Sequence, residues 1–425
     1  MDRRDQLPPR VIPVLYFGFA RLCLALACVA VITYPGQLAA FVYQPRLLAV
    51  VHLVTLGWIT SSILGALYIV CPVALRSPMP ARRVDYWAFG VTATGIIGMV
   101  AHFWIARFDG MAWAALTATT GIAIVVVRAT IALRRAPVQR FVLLHIWLAF
   151  ANILLAASFG SLLGFDKTAH VLPGYVLANV FAHAHLAAVG WATMMVVGVS
   201  YRIMPMLLPA AMPSGASPWL TAILLEAGVL GLAGAIAMRS RWTLLFAVVL
   251  AIGVGVFLST VGWMRAHRKP PPASLPQPDY GTIQVGAALI SLVCATALGV
   301  WLAWARTSTL TLQAALAYGV FGLVGFLGTM IAGVEARLLP MFAWYWEFAD
   351  TNFAGPAASP STTPFRPAQR WGAVAWIVAI PLLAAGFAAD GGEIVRFGAV
   401  LLLTGVLLGG LDAVVVLRHA FRFRH

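Results

Sequence analysis

A chain of 425 residues that is 62% apolar and only 10% charged is no soluble domain, in which about a quarter of residues carry charge; it is an integral membrane protein. Its net charge of +15 would suit nucleic acid, but the basic residues follow membrane topology instead of forming a patch, which removes nucleic acid as a partner. The four cysteines (Cys23, Cys28, Cys71, Cys294) fall inside apolar runs at no metal-binding spacing and read as packing residues.

A ~30 Å hydrocarbon core takes about 20 apolar residues to cross. Twelve runs reach that length: 12–34, 47–75, 84–106, 111–133, 140–164, 174–207, 217–238, 242–264, 281–305, 311–341, 371–389 and 394–417. The first begins like a signal peptide, with Arg3 and Arg4 before apolar residues. Arg21 interrupts it and no small-residue cleavage site follows, so it is expected to stay as a first helix. With the N-terminus inside, the inner segments carry twenty of the 28 Lys and Arg, and the outer segments carry seven. That positive-inside bias predicts cytoplasmic N- and C-termini in a bacterial-type inner membrane. Residues 268–280, RKPPPASLPQPDY, read as a stiff proline-rich linker, and 349–369 as a second, longer one.

Runs 2, 6 and 10 share one pattern. They read HLVTLGWITSSILGALYIVCP from His52, HLAAVGWATMMVVGVSYRIMP from His185 and VFGLVGFLGTMIAGVEARLLP from Val320. Counting from those three anchors, glycine recurs five and thirteen places on (Gly57, Gly190, Gly325; Gly65, Gly198, Gly333). Proline recurs twenty places on (Pro72, Pro205, Pro340). The anchors lie 133 and 135 residues apart, so twelve helices divide into three units of four: 1–137, 138–269 and 270–425. The expected fold is all-α, a polytopic membrane protein of three pseudo-symmetric four-helix units. Glycines eight apart share a helix face and let a neighbour approach closely. The prolines are expected to stop their helices at little cost.

An ionisable residue within a membrane span is a functional hypothesis by default, and imidazole is the commonest ligand for metals and haem iron. His52, His183 and His185 lie at similar depth, near the outer end of helices 2 and 6, and are the candidate cofactor and metal ligands. His102, at the outer end of helix 3, is a further metal candidate. A lone His102 or His145 equally suits a hydrogen bond that fixes packing. His183 and His185 are two apart, so their rings diverge by roughly 200° and serve two faces; by the repeat, His185 is the counterpart of His52 and its expected partner across helices 2 and 6. A copper site using His183 is the next option. Glu226 could relay protons or bond a neighbouring helix. Arg21 could meet an anion or snorkel. Tyr68 and Tyr201, with Arg202 and Arg337, read as interface anchors near the inner ends. Trp58 and Trp191, six places after their anchors, read as packing residues.

Twelve helices in threes of four, with histidines on helices 2 and 6, resemble subunit I of the haem–copper oxidase superfamily. HLVTLGWITSSILGALY and AHAHLAAVGWATMMVVGVSYRIMPM are similar to short, single-chain subunit I-like members and, distantly, to the NnrS family of the nitric-oxide response. The resemblance implies haem, of b type, with copper as a second metal. It matches His52 to the helix 2 ligand of the low-spin haem and His183 or His185 to a copper histidine of helix 6. It also marks what is missing. Residues 311–341 hold no His-x-His pair, 217–238 hold no histidine, and Ala187 stands where a His-x-x-x-Tyr pattern starting at His183 would need tyrosine. A conventional oxygen-reducing centre cannot be assembled, so cytochrome oxidase turnover is not expected. Electron transfer with a respiratory-chain partner, or handling of a diatomic gas such as nitric oxide, is the implied role. The alternatives are a transporter and a factor delivering haem or metal to an oxidase.

Overall fold

The computed structural model describes residues 7–207, 209–270, 276–350, 360 and 364–421. Much of both expected linkers, together with Arg3, Arg4 and His425, therefore lies outside the described residues. Among the described residues, twelve helices are long and apolar enough to cross a membrane. They are α1 (Val11–Thr33), α2 (Pro45–Val73), α3 (Arg83–Trp104), α4 (Met111–Leu133), α5 (Arg140–Ala169) and α6 (Val176–Met206). The others are α7 (Ser217–Ala237), α8 (Thr243–Ala266), α9 (Tyr280–Trp304), α10 (Thr309–Ala349), α11 (Arg366–Ala388) and α12 (Gly392–Phe421). The protein is thus a multi-pass, all-helical membrane protein.

Polar side chains set several helix starts by satisfying free backbone N–H groups. The Asp85 carboxylate accepts the Arg82 N–H at 2.6 Å at the head of α3, and Asp279 accepts Thr282 N–H at 3.3 Å at the head of α9. Ser308 accepts the Thr311 N–H at the head of α10. Pro72 and Pro205 fall in the last turn of α2 and α6, as expected. Pro340 does not end α10, which continues through the following turns. The continuation is held by tertiary bonds: the Trp346 indole donates to Pro8 O at 3.0 Å, and the Arg10 guanidinium lies 4.0 Å over its ring. Packing there outweighs the roughly 3 kcal/mol that an interior proline costs.

The shared glycines have one job in all three repeats. A Cβ at Gly198 would meet the Cβ of His145 on α5, and one at Gly65 would lie 2.7 Å from the Tyr16 Cβ on α1. At Gly333 it would lie 2.8 Å from the Gly281 carbonyl of α9. The glycines therefore seat the first helix of each unit against the motif helix. Inside lipid, helices associate by such close packing because apolar side chains gain little by leaving the tails.

A feature that the apolar pattern does not announce lies just past each anchor. Leu53–Thr60, Leu186–Thr193 and Val320–Gly328 are π-helical, a rare conformation concentrated at functional sites. A hydroxyl reaches five residues back in each: Ser61 Oγ to Leu56 O at 2.9 Å, Thr193 Oγ1 to Ala188 O at 2.9 Å and Thr329 Oγ1 to Val324 O at 3.0 Å. These bonds help satisfy carbonyls in the widened turns. The three stretches meet one another at the centre of the bundle. The aromatic residues six places past the anchors, Trp58, Trp191 and Phe326, are all buried there.

Candidate functional site

Each of His52, His183 and His185 spends one ring nitrogen on a backbone carbonyl. His52 Nδ1 bonds Leu48 O at 2.7 Å within α2, and His185 Nδ1 bonds Phe181 O at 2.7 Å within α6. His183 Nδ1 reaches across to Ala156 O of α5 at 3.0 Å. A carbonyl can only accept, so each Nδ1 carries the proton and each Nε2 presents a lone pair. This is the tautomer that a metal-binding histidine held through its far nitrogen adopts.

The rings sort into two junctions. His52 on α2 lies near enough to His183 on α6 for the two imidazoles to interact electrostatically. His52 stacks on Phe103, with ring centres 5.0 Å apart and planes at 20°. Gly160 leaves room for the second ring: a Cβ there would lie 2.7 Å from His183 Cε1. His185 turns the other way and meets α10. Its Nε2 lies 3.2 Å from the Tyr318 hydroxyl, and the rings stack at 6.0 Å. The repeat aligns His52 with His185; the group against His185 Nε2 is the Tyr318 hydroxyl, and it is His183 that interacts electrostatically with His52. Two residues on α6 separated by about 200° cannot face the same neighbour, and the bundle turns His183 toward the first unit and His185 toward the third.

A rule of position follows. The anchor of one repeat faces the residue two places before the anchor of the next: His52 with His183, and His185 with Tyr318. The corresponding residues for the third junction are Val320 and Val50. The α6–α10 junction thus pairs imidazole with phenol, while the residues at the equivalent positions of the remaining pairing are both valine.

His102 stands apart. It bonds Arg107 O at 2.7 Å through Nδ1 and packs over Gly110, closing the turn between α3 and α4. His145 is fully buried, bonds Phe141 O at 2.7 Å and packs edge-on to Tyr201. Among the described residues no group of three or more His, Cys, Asp and Glu side chains is disposed to hold a metal ion.

Other polar residues took unexpected places. Tyr68 and Tyr201 are not interface anchors but fully buried. The Tyr68 hydroxyl donates to Asp85 at 2.9 Å, where Arg128 Nε also donates at 3.0 Å, and the Tyr201 hydroxyl donates to Thr221 at 3.1 Å. Hydropathy locates the end of a helix but not which of its faces turns inward. Arg202 donates to Ala74 O at 2.8 Å, and Arg337 pairs with Asp279 at 3.4 Å. Glu226 accepts from Asn152 on α5 at 2.8 Å. Arg21 does not snorkel: its Nη2 binds Glu335 Oε2 of α10 at 2.6 Å. Glu335 escaped sequence reasoning, although a signal existed. It stands fifteen places after its anchor, where the other repeats have Leu67 and Ser200.

No family's sequence profile matches the chain, and no curated protein is significantly similar to it. Among solved structures it is similar to a chain of a heme-copper terminal oxidase dimer determined by cryo-EM. The likeness has a TM-score of 0.65 at 11% sequence identity, and covers 98% of this chain and 85% of that one. At such identity the likeness speaks for architecture alone. The chain is a twelve-helix membrane protein with the fold of haem–copper oxidase subunit I.

Proposed function

We propose that this protein is a membrane haem protein in which His52 of α2 and His183 of α6 would hold one b-type haem. The observation that carries the reading is the pair of imidazoles on neighbouring helices, each with Nδ1 committed to a carbonyl and Nε2 left as a lone pair. When bound, haem supplies one-electron chemistry, and ligation from both sides favours electron transfer over gas binding. The chain's own contribution is orientation. The Leu48 and Ala156 carbonyls hold the two rings in one tautomer, and Phe103 sets the plane of His52 by stacking. Haem suits the junction better than copper, because two imidazoles complete an axial pair whereas protein copper sites generally draw on three or more donors. The basic residues orient both termini toward the cytoplasm, which puts the pair near the outer leaflet, within reach of an extracytoplasmic redox partner.

Visible spectra of detergent-purified protein, expressed with haem supply, test the reading. An intense Soret band is expected in the wild type and in His185→Ala, and its loss or displacement in His52→Ala and His183→Ala. A protein without a Soret band sinks the proposal. A band sensitive to His185 and indifferent to His183 moves the site to the α6–α10 junction.

A further inference from the structure

A second polar site stands where α1 and α3 end and α2 begins. A cleft of about 470 Å³ opens there, and Arg46 is the charged residue of its lining. The guanidinium is fixed in place. It lies 5.2 Å over the Tyr34 ring and 5.6 Å over Trp104, and its Nη1 donates to Gln37 Oε1 at 2.7 Å. Gln44, also in the lining, donates through Nε2 to Gln37 O at 2.6 Å and ties the segment between α1 and α2 to itself.

The charges around this cleft are balanced, and that of Arg46 is not. Arg107 pairs with Asp109 at 3.8 Å, and Arg396, which donates to Ile32 O at the end of α1, pairs with Glu393 at 2.6 Å. Lys167, over the Tyr43 ring, has Asp166 beside it. Arg46 has no carboxylate partner among the described residues; it bonds Gln37 and stacks on two rings. A guanidinium carries five N–H donors, and the bond to Gln37 commits one of them.

An oriented cation in a cleft calls for an anion, and the planar fork of arginine matches the oxygens of a phosphate. Position narrows the choice. Tyrosine and tryptophan mark the headgroup level of a bilayer, and both flank this guanidinium. Trp104 and Ile105, the latter 59% exposed, also give the cleft an apolar wall that a free phosphate ion has no use for. We infer that the cleft binds the headgroup of an anionic phospholipid in the outer leaflet, its phosphate on Arg46 and its headgroup hydroxyls on the amides of Gln37 and Gln44. One negative charge meets one uncompensated positive charge, as phosphatidylglycerol supplies. The outer leaflet follows from the basic residues, which orient both termini toward the cytoplasm. Nothing in this site depends on haem.

Native mass spectrometry of the full-length protein in detergent, titrated with phosphatidylglycerol, phosphatidylcholine and inorganic phosphate, tests the assignment. Phosphatidylglycerol is expected to saturate one site at least tenfold more tightly than phosphatidylcholine. Arg46→Gln is expected to weaken it about tenfold or more, the scale of one hydrogen bond to a charged partner. Ile105→Glu sets a carboxylate in the cleft at an exposed side chain and is expected to do the same, should loss of Arg46 disturb the fold. Arg241→Gln removes a cation between α7 and α8, outside the cleft, and should leave the affinity unchanged. Equal binding of the two lipids overturns the inference, as does wild-type affinity in Arg46→Gln or Ile105→Glu. A loss in Arg241→Gln as large as in Arg46→Gln means general surface charge and overturns it too. Inorganic phosphate binding as tightly as phosphatidylglycerol makes the ligand a free anion and overturns the lipid assignment.

Discussion

Replacing Arg21 with methionine would strand a carboxylate inside the bundle. Glu335 is 3% exposed and Arg21 17%, and the 2.6 Å contact between them joins α1 to α10. Apart from Arg21, the Ser62 hydroxyl is the group beside the carboxylate, so little remains to absorb the loss. Removing one partner of a buried pair costs about 3–5 kcal/mol, and this site should fall toward the upper end. The first repeat shows what a neutral alternative looks like, since Leu67 occupies the equivalent position. Arg21→Met combined with Glu335→Leu should therefore return stability to within about 1 kcal/mol of wild type, because an apolar replacement of a buried pair is often neutral or better. Titration with SDS in mixed micelles, followed by circular dichroism, measures both variants and gives the coupling energy directly. If the double variant is as unstable as Arg21→Met, or if the single variant loses less than about 1 kcal/mol, the ion pair is not what the bundle depends on.

Other consequences follow from the packing and from the site. Gly198→Ala pushes a methyl into the Cβ of His145 and should cost about 1–3 kcal/mol by overpacking, whereas Gly18→Ala, with open space around it, should be neutral or slightly stabilising in the same titration. Tyr68→Phe removes one of several donors to Asp85; a loss of about 0.5–1.5 kcal/mol is expected, and a loss above about 3 kcal/mol would mean that the hydroxyl organises the whole α2–α3–α4 corner. In reduced protein carrying haem, adding carbon monoxide should leave the wild-type spectrum unchanged, because both axial positions are taken, and should shift it in His183→Gly; a wild-type shift would refute the axial pair. Tyr318→Phe should leave the haem spectrum unaltered, since Tyr318 bonds His185 and not the proposed ligands.

The apolar runs located all twelve helices because a bilayer imposes a length that few other folds share. The period did more, since the repeated glycines marked the face on which each first helix lies. What lay beyond reach was rotation. A shared sequence position aligns His52 with His185, whereas a bundle pairs faces, and His185 turns to Tyr318. Tyr68 and Tyr201 were set at an interface for the same reason. Glu335 stands at a position where the repeats disagree, with Leu67 and Ser200 as its counterparts, so agreement between the repeats carries no mark of it. The π-helical turns left no mark in composition: Leu, Val, Gly and Trp suit either helix, and the hydroxyls that reach five residues back are legible only once the widened turns are known.

Those widened turns also separate two kinds of inheritance in this chain. A π turn accommodates one residue more than the α-helix on either side requires, so a single-codon deletion within residues 53–60 can be absorbed by restoring α geometry. Because the extra residue is confined to the widened turn, the segments on both sides, His52 included, would keep the faces they present. A change of one codon can thus add or remove a widened turn at the centre of the bundle without redesigning it. The three turns let the shape there vary while the helix faces on either side are inherited unchanged.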